Sequence, residues 1–220
     1  MVTKNTIEYV CSHNHGRSPL AQAFSLSYLS ALGNTFFNVI SSGSKVDKTN
    51  SMLDGSLEIP PDFVKWLLNK GLERGLFDKH NEKFVRTFAD IETDNVNLLR
   101  CQQNYSRNLH RRFVAEEHEY RAMAFKRFRL GTPKEKHDQT VGRNDTFLVL
   151  GMGVENVDKS REIYINDGII ELPEFETLAG HSLEEPGRKF KSGFGGDYND
   201  YLNMAEEIRE LVFRGINRLI

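Results

Sequence analysis

The sequence predicts an α/β fold, a three-layer, doubly wound sheet whose strands are mostly parallel. Short strand-forming runs and helical patterns alternate in both outer parts of the chain, which is the order that a parallel sheet requires. Residues 146–150 form a continuous apolar run, Thr-Phe-Leu-Val-Leu, typical of a strand buried on both faces. Residues 198–220 have apolar side chains at helical spacing and predict a long amphipathic closing helix.

Several elements are predicted in the N-terminal part of the chain. They are, in order, a strand at 6–10, a helix that begins at Ser18-Pro19 and stops at Gly33, a strand at 36–40 closed by Ser41-Ser42-Gly43, and a helix from Pro60-Pro61 to Gly71. In the first helix, Ser18 is predicted as the N-cap and Pro19 as the first helical residue. A serine hydroxyl accepts a hydrogen bond from a backbone N–H that has no partner within the helix, and the fixed φ angle of proline suits the first helical position.

The middle of the chain, from Gly71 to Asn144, is more polar, and its apolar residues are thinly spread. A helix is nevertheless expected from Arg107 to Leu130, where apolar side chains recur at helical spacing before a glycine and a proline. After the buried strand, residues 168–172 are a short strand candidate. Residues 184–196 then form a glycine-containing loop before the closing helix.

Composition excludes several classes of protein. The formal net charge of -2 shows no global excess of positive charge, so nucleic acid is an unexpected partner. No apolar run is long enough for a membrane-spanning helix, and the first residues lack the pattern of a secretory signal, so we expect a cytoplasmic protein that does not contact a membrane. The two cysteines, Cys11 and Cys101, are too few for a disulfide scaffold or a four-cysteine zinc site.

The motif that carries chemistry is Cys11-Ser12-His13-Asn14-His15-Gly16-Arg17-Ser18, between the first predicted strand and the first helix. Successive backbone N–H groups in such a loop can converge on one anion, and the positive end of the following helix points at the same place. A cysteine there is expected to ionise at neutral pH, so Cys11 is the candidate nucleophile. Arg17 offers a planar fork for two phosphate oxygens, and Ser18 can donate a hydrogen bond to the Cys11 sulfur.

The candidate substrate-binding residues are those between the cysteine and the arginine, namely Ser12, His13, Asn14, His15 and Gly16. Asn14 in particular tolerates the left-handed backbone that a tight loop often needs. We expect neither a metal nor a cofactor, because the arginine and the loop amides supply the positive charge that a metal ion supplies at other phosphate sites.

This loop resembles the phosphate loop of the low-molecular-weight protein tyrosine phosphatases, with a cysteine, five residues, an arginine and then Ser-Pro. Other stretches are similar to that family's first helix, second strand, methionine-ending strand and closing helix: Leu20 to Phe24, Ile40 to Gly43, Phe147 to Met152 and Asp197 to Ile220. The resemblance covers about residues 5–72 and 145–220. It implies one phosphatase domain over residues 1–220, with an inserted helical segment at about 74–143.

Two positions depart from the family pattern. His13 stands where the family usually has glycine, and Gly16 stands where it has a second cysteine. The missing cysteine removes a neighbour that could protect Cys11 as a disulfide, and His13 and His15 add bulk or charge near the pocket mouth. We therefore expect an altered substrate preference more than a loss of the chemistry.

The resemblance also implies a general acid, an aspartate followed by proline late in the chain, but the sequence has no Asp-Pro pair. Glu185, followed by Pro186, is the nearest match and could protonate the leaving oxygen if its loop stands slightly further back. Alignment on the stretch before the last helix instead puts Lys191 or Ser192 at this position, and neither suits the role. Asp197 is a third candidate, although it could equally be the N-cap of the last helix. A chain without a dedicated acid would be slow and would favour good leaving groups.

The segment 74–143 has two interpretations: a helical decoration on the surface, or a cap over the pocket that selects substrate. From Arg100 to Arg143 there are eleven Lys and Arg against five Asp and Glu, which would attract acidic or phosphorylated partners. Interleaved aromatic and basic residues are also typical of nucleic-acid binding. An amphipathic helix needs the same pattern for its core contacts, so nucleic-acid binding is a weaker hypothesis than the attraction of acidic or phosphorylated partners.

These observations predict a cysteine-dependent phosphatase that acts on phosphotyrosine or another aryl or acidic phosphomonoester through a phosphocysteine intermediate. Its partner would be a phosphorylated protein or a small phosphomonoester. The main alternative is a catalytically weak or dead phosphate-binding module. Two lesser alternatives are an arsenate reductase of the same fold, for which a third cysteine is lacking, and a phosphatase of the RNA polymerase tail, which Pro19 and the last helix fit less well.

Overall fold

The computed structural model describes residues 4–90, 96–131, 144–188, 190 and 193–220. Strands and helices alternate in the outer parts of the chain, which confirms the α/β class. The elements are, in chain order, β1 (Thr6–Cys11), α1 (Arg17–Ala31), β2 (Asn38–Gly43), α2 (Val46–Asp54), α3 (Pro61–Glu73), α4 (Lys79–Asp90), α5 (Val96–Arg127), β3 (Thr146–Gly151), α6 (Val154–Asn166), β4 (Glu174–Thr177), α7 (Leu178–Leu183) and α8 (Tyr198–Asn217).

Within the described residues the sheet has four strands in the order β2-β1-β3-β4, and its pairings are parallel. Cys11, the last residue of β1, pairs with Gly43 of β2, and Val10 pairs with Gly151 of β3. Because β2 and β3 lie on opposite sides of β1, the order of the strands reverses at β1. The carboxyl end of β1 is therefore the switch point at which open parallel sheets bind their ligands.

Helices cover both faces of the sheet, which confirms the predicted three layers. On one face α1, α7, α8 and the end of α5 surround an apolar core that includes Phe24, Leu150 and Ile208. On the other face Tyr164 of α6 packs against Val10. Within the described residues, no helix combines the length and the apolar character needed to cross a membrane.

A second apolar core joins helices α2 to α5 beside the sheet. Its buried members are Met52, Ile59, Val64, Leu67, Leu68, Phe77, Val85, Leu109 and Phe113. Phe194, which precedes α8, packs against this cluster, and its ring centroid lies 6.3 Å from that of His13 in the loop after β1. The second core therefore borders the loop that carries the candidate nucleophile.

Several predicted boundaries are wrong. The serines predicted as a turn belong to β2, because Ser41 and Ser42 continue the pairing with β1. The strand candidate at 168–172 is wrong, since Gly168 has a φ of 73° just after α6 and the strand β4 follows at Glu174–Thr177. Helix α5 begins well before the predicted Arg107, and helices α2, α4, α6 and α7 were not predicted.

Candidate active site

Cys11 lies at the carboxyl end of β1, with its side chain inside the following loop. The residue is 3% exposed and is a free cysteine. The backbone N–H of Asn14 donates a hydrogen bond to Cys11 Sγ over 3.2 Å, and Ser18 Oγ donates another over 3.1 Å. A sulfur that carries negative charge accepts such bonds better than a neutral thiol does. The local structure is therefore suited to a nucleophilic thiolate.

Ser18 lies in the first turn of α1, so its prediction as the N-cap is wrong. The helix begins at Arg17, and Gly16 occupies the N-cap position without a side-chain cap. Three acceptors lie within reach of the Ser18 hydroxyl: Cys11 Sγ at 3.1 Å, Asn14 Oδ1 at 2.9 Å and Ser42 O at 3.1 Å. A hydroxyl has one proton, so the bond to sulfur alternates with the other two. The serine is oriented toward the nucleophile instead of capping the helix.

The backbone of the loop is fixed by its neighbours. The N–H of Lys45, at the start of α2, donates to Ser12 O over 2.8 Å. Asn14 has a φ of 53°, the left-handed conformation that the sequence led us to expect there. Its side-chain Nδ2 donates to Ser41 O over 3.4 Å. The loop thus holds its shape through contacts with β2 and with the turn that follows it.

Arg17, the first residue of α1, is half-buried beside the loop. Among the described residues, no carboxylate forms an ion pair with its guanidinium. The N-terminus of α1 has no side-chain cap either, so the amides of its first turn are open to a ligand. A guanidinium without an ion pair in the described part of the chain and an uncapped helix N-terminus together favour an anion at this position.

Histidines surround the loop, and two of them are neutral at physiological pH. Burial, together with the charges of His15, His110, Arg17 and Lys45, lowers the pKa of His13 to about 3. Burial also lowers the pKa of His110 to about 4, and in the described part of the chain both its ring nitrogens lack a hydrogen-bond partner. His13 therefore contributes bulk and not charge to the mouth of the loop.

A cleft of about 240 Å³ opens beside the loop. The loop contributes Ser12 and His13 to its lining, and the opposite wall, from α2 and the start of α3, contributes Lys45, Lys48, Thr49, Met52, Pro60 and Phe63. Lys45 also forms an ion pair with Glu155 of α6. The wall thus combines two ammonium groups with an apolar surface.

Helix α5 lies against the loop from the other side. Arg121 Nη1 donates to the backbone oxygen of His15 over 2.6 Å, and the ring of His118 packs edge-on to that of His15 with centroids 4.8 Å apart. The Glu117 carboxyl stands at Gly16, with its Cδ 2.9 Å from the place that a Cβ would take there. One face of α5 therefore forms part of the wall around the loop.

Solved structures with this architecture include two low-molecular-weight protein tyrosine phosphatases. That from Bacillus subtilis is 14% identical with a TM-score of 0.52, and the match covers 97% of this chain and 96% of that chain. That from T. tengcongensis is 15% identical with a TM-score of 0.52 over 97% and 99% of the two chains. This chain has the low-molecular-weight phosphatase fold.

A third structure with this fold is a Cys-to-Ser mutant of the YwlE arginine phosphatase with a phosphorylated active-site serine. It is 14% identical with a TM-score of 0.53, over 97% of this chain and 95% of that chain. No protein-family model matches the sequence, and no curated protein matches it at the sequence level. The likeness to the low-molecular-weight phosphatase fold is therefore a likeness of structure.

Glu185, the general acid predicted from the sequence, lies in the turn after α7. It is exposed, its carboxylate pairs with Arg188 over 3.3 Å, and its backbone N–H donates to Ala179 O over 3.4 Å. Arg188 in turn pairs with Glu207 of α8 over 2.9 Å. Among the described residues, these contacts of Glu185 do not include the phosphate loop.

Asp197 has the other of its two predicted roles, the N-cap of α8. Its side chain accepts from the backbone N–H groups of Asn199 and Asp200, and Asp200 completes a capping box. The two remaining positions considered for the acid, Lys191 and Ser192, lie outside the described residues.

Sequence reasoning missed Glu117, Arg121 and Lys45. No local motif marks them, because they come to the loop from distant parts of the chain; Arg121 and His15 are 106 residues apart. The spacing of Glu117 and Arg121, one helical turn apart, was visible, but it is equally typical of an ordinary ion pair on a helix surface.

Proposed function

We propose that this chain is a cysteine-dependent phosphatase that hydrolyses phosphotyrosine or another aryl or acidic phosphomonoester through a phosphocysteine intermediate. The observation that carries the proposal is the pair of hydrogen bonds from Asn14 and Ser18 to Cys11 Sγ, beside an Arg17 free of ion pairs among the described residues. The phosphorylated serine of the YwlE mutant supports a covalent step at the corresponding position.

In the first step the Cys11 thiolate attacks phosphorus. The S–P bond forms while the bond between phosphorus and the leaving oxygen breaks. Arg17 and the loop amides stabilise the negative charge on the three remaining oxygens. The leaving oxygen takes a proton, which a phenolic oxygen needs less than an alkyl one does. Glu185 is the proposed donor of this proton, after release of its ion pair with Arg188.

In the second step the Glu185 carboxylate, which gave up its proton in the first step, takes a proton from water as that water attacks the phosphocysteine. The P–S bond breaks and the Cys11 thiolate leaves. The Ser18 hydroxyl can then donate a hydrogen bond to the sulfur, because its contacts with Asn14 and Ser42 keep it 3.1 Å from that atom. Hydrogen bonds to a charged atom contribute more than those to a neutral one, so the contact assists the departure of the thiolate. The unprotected thiol suits a reducing, cytoplasmic compartment.

The cleft supports the substrate class. Met52, Pro60 and Phe63 offer an apolar surface for an aryl group next to the phosphate, and Lys45 and Lys48 offer positive charge for an acidic neighbour. The same lysines disfavour a cationic side chain, so phosphoarginine, the substrate class in the name of one neighbour, fits this cleft less well. We expect a phosphorylated protein or a small aryl phosphomonoester as the partner.

The second candidate function is a phosphate-binding module with weak or no turnover. The position of Glu185 favours it, because that carboxylate is exposed and paired with Arg188. A loop without a proton donor would bind phosphate and react slowly, and only with good leaving groups.

The test is the release of p-nitrophenol from p-nitrophenyl phosphate without added metal, for the wild type, Cys11→Ser, Arg17→Lys and Glu185→Gln. The proposal predicts turnover in the wild type, loss of turnover in Cys11→Ser, and a large loss in Arg17→Lys because an ammonium cannot bind two oxygens side by side. A changed pH profile in Glu185→Gln would assign the acid. A folded wild type that binds vanadate without turnover would establish the second candidate instead.

A further inference from the structure

Helix α5 carries a carboxyl group against the phosphate loop. A Cβ at Gly16 would clash with Glu117 Oε1, and the next two atoms of the same side chain lie 2.9 and 3.3 Å from the position of that Cβ. Glu117 is 8% exposed, which is unusual for a glutamate. Gly16 and Glu117 are therefore in close contact, and a side chain at Gly16 would require the carboxyl to move.

Charged and polar groups from several elements face this carboxyl. Its charged neighbours are Arg17 of α1 and Arg121 of α5. The buried hydroxyl of Tyr201, on α8, has no hydrogen-bond partner among the described residues. Burial raises the pKa of Tyr201, and the charges of Glu117 and Cys11 act in the same direction while that of Arg121 opposes them.

Glu117 itself has no hydrogen bond or ion pair within the part of the chain that the structure describes. Burial of a carboxyl costs stability, and the charges of Arg17 and Arg121 offset only part of that cost, since the net effect still raises the pKa of Glu117. Such groups cluster at functional sites, where the cost is retained for the chemistry. The unpartnered carboxyl and its fit to Gly16 are two separate observations at one place.

We propose that Glu117 is a positioning residue of the phosphate loop, which fills the side-chain space at Gly16 and sets the charge that faces Arg17. The proposal rests on the proposed function, since it concerns the same anion site. Helix α5 then has a role at the loop through two residues: Glu117 packs against Gly16, and Arg121 donates a hydrogen bond to the His15 backbone oxygen.

The charge on Glu117 varies near neutral pH. Burial raises the pKa of its carboxyl to about 7, while Arg17 and Arg121 act in the opposite direction. Below that pH the carboxyl is neutral and leaves the Arg17 guanidinium to the bound anion. Above it, the carboxylate competes for Arg17 and repels the anion. The loop therefore holds an anion less tightly as the pH rises through about 7.

Sulfate is the probe, because it keeps the same charge throughout the relevant pH range. A Cys11→Ser background removes the reactive thiol from all the proteins compared. Three proteins are compared: Cys11→Ser, the same with Glu117→Gln, and the same with Glu119→Gln, an exposed glutamate of α5 that serves as control. We expect the sulfate Kd to rise by up to about tenfold per pH unit above about 7 in the first and third proteins. Glu117→Gln should lower that dependence.

Four histidines lie around the loop in all three proteins: His13, His15, His110 and His118. A difference in the pH dependence of sulfate binding between the proteins is therefore due to Glu117. An identical pH dependence with Glu117→Gln would overturn the proposal, and so would an absence of sulfate binding in all three. An inactive wild type together with the expected sulfate behaviour would overturn the enzyme and leave this inference standing.

A second arm tests the fit at Gly16 in the same background. Gly16→Ala should weaken sulfate binding by roughly tenfold or more, since its methyl group needs the space of the carboxyl. The additional change Glu117→Ala should restore most of that loss, whereas two independent effects would add. Additive losses in folded variants, checked by circular dichroism, would contradict the fit. If Gly16→Ala does not fold, the pH dependence of the Glu117→Gln protein decides.

Discussion

The Ser18 hydroxyl lies 3.1 Å from the Cys11 sulfur, and the same hydroxyl lies 2.9 Å from Asn14 Oδ1. The asparagine also donates its backbone N–H to that sulfur over 3.2 Å. Ser18 and Asn14 thus form a small network around one atom. Because the hydroxyl proton can turn toward whichever acceptor carries more charge, the network responds when negative charge returns to the sulfur.

The first prediction concerns this hydroxyl. Ser18→Ala should slow the breakdown of the phosphocysteine by roughly 10- to 100-fold, because a hydrogen bond to a charged atom contributes about 1.5–3 kcal/mol. The measurement is rapid-mixing kinetics with p-nitrophenyl phosphate, in which the variant should show a burst of p-nitrophenol followed by a slow phase. Ser27→Ala, at an exposed position of α1, is the control. Equal slowing of burst and slow phase would argue against a role in the second step.

The second prediction concerns the cleft. Lys48→Ala should raise the KM for a phosphotyrosine peptide with acidic flanking residues by a few-fold. The increase is small because a single exposed charge contributes at most about 1 kcal/mol. The KM for p-nitrophenyl phosphate, which has no flanking residues, should change little. The effect should shrink at high salt. Lys65→Ala, an exposed lysine of α3 outside the cleft, is the matched control. An equal effect of both lysines would remove the cleft from substrate recognition.

The third prediction concerns pH and stability. The pKa of His110 is lowered to about 4 by burial, below the usual value of about 6.5. Between these values the unfolded chain binds a proton that the folded chain does not, so stability falls as the pH drops from about 6.5 toward 4. His110→Phe, whose new ring would lie among Phe63 and Phe194, should weaken this fall by up to about 1.4 kcal/mol per pH unit.

Urea denaturation of the wild type and of His110→Phe at two pH values in this range measures the effect. His80→Phe, at an exposed histidine of α4, is the control. Parallel pH dependence of the wild type and His110→Phe would show that His110 does not contribute to the acid instability.

The fourth prediction concerns a buried carboxyl under the loop. Glu8 in the middle of β1 is buried and accepts hydrogen bonds from the hydroxyls of Ser42 and Tyr164. Tyr164→Phe should lower the free energy of unfolding by about 1–3 kcal/mol, because it leaves a buried acceptor with one donor fewer. Tyr28→Phe, which removes an exposed hydroxyl bonded to Asn217, is the control and should cost clearly less. Equal losses in urea denaturation would contradict this account.

Much of the fold could be predicted because the local hydrophobic pattern of several segments agrees with the structure that they adopt in the complete fold. The apolar run at 146–150 became β3, and the closing amphipathic pattern became α8 over Tyr198–Asn217. Errors arose where tertiary pairing decided the structure. Ser41 and Ser42, typical turn residues, extend β2 because β1 offers them partners. Ser18 resembles an N-cap locally, but its hydroxyl is engaged by Cys11 and its neighbours.

The site was predictable only as far as it is contiguous in sequence. The candidate nucleophile Cys11 and the residues that donate hydrogen bonds to it, Asn14 and Ser18, lie within eight consecutive residues, so one sequence motif contains them all. Glu117 and Arg121 were not found, because nothing in the sequence indicates which face of α5 would meet Gly16 and His15. The general acid, expected by resemblance at Glu185, stays a prediction.

The proposed chemistry depends on covalent transfer of a phosphoryl group to Cys11. The most direct test mixes the wild type with p-nitrophenyl phosphate, quenches the reaction with acid within the first turnover, and maps the phosphorylated peptide by mass spectrometry. We expect one phosphoryl group on the peptide that contains Cys11 and none in Cys11→Ala. Hydrolysis of the substrate without a phosphorylated peptide, or with the phosphoryl group on another residue, would contradict it.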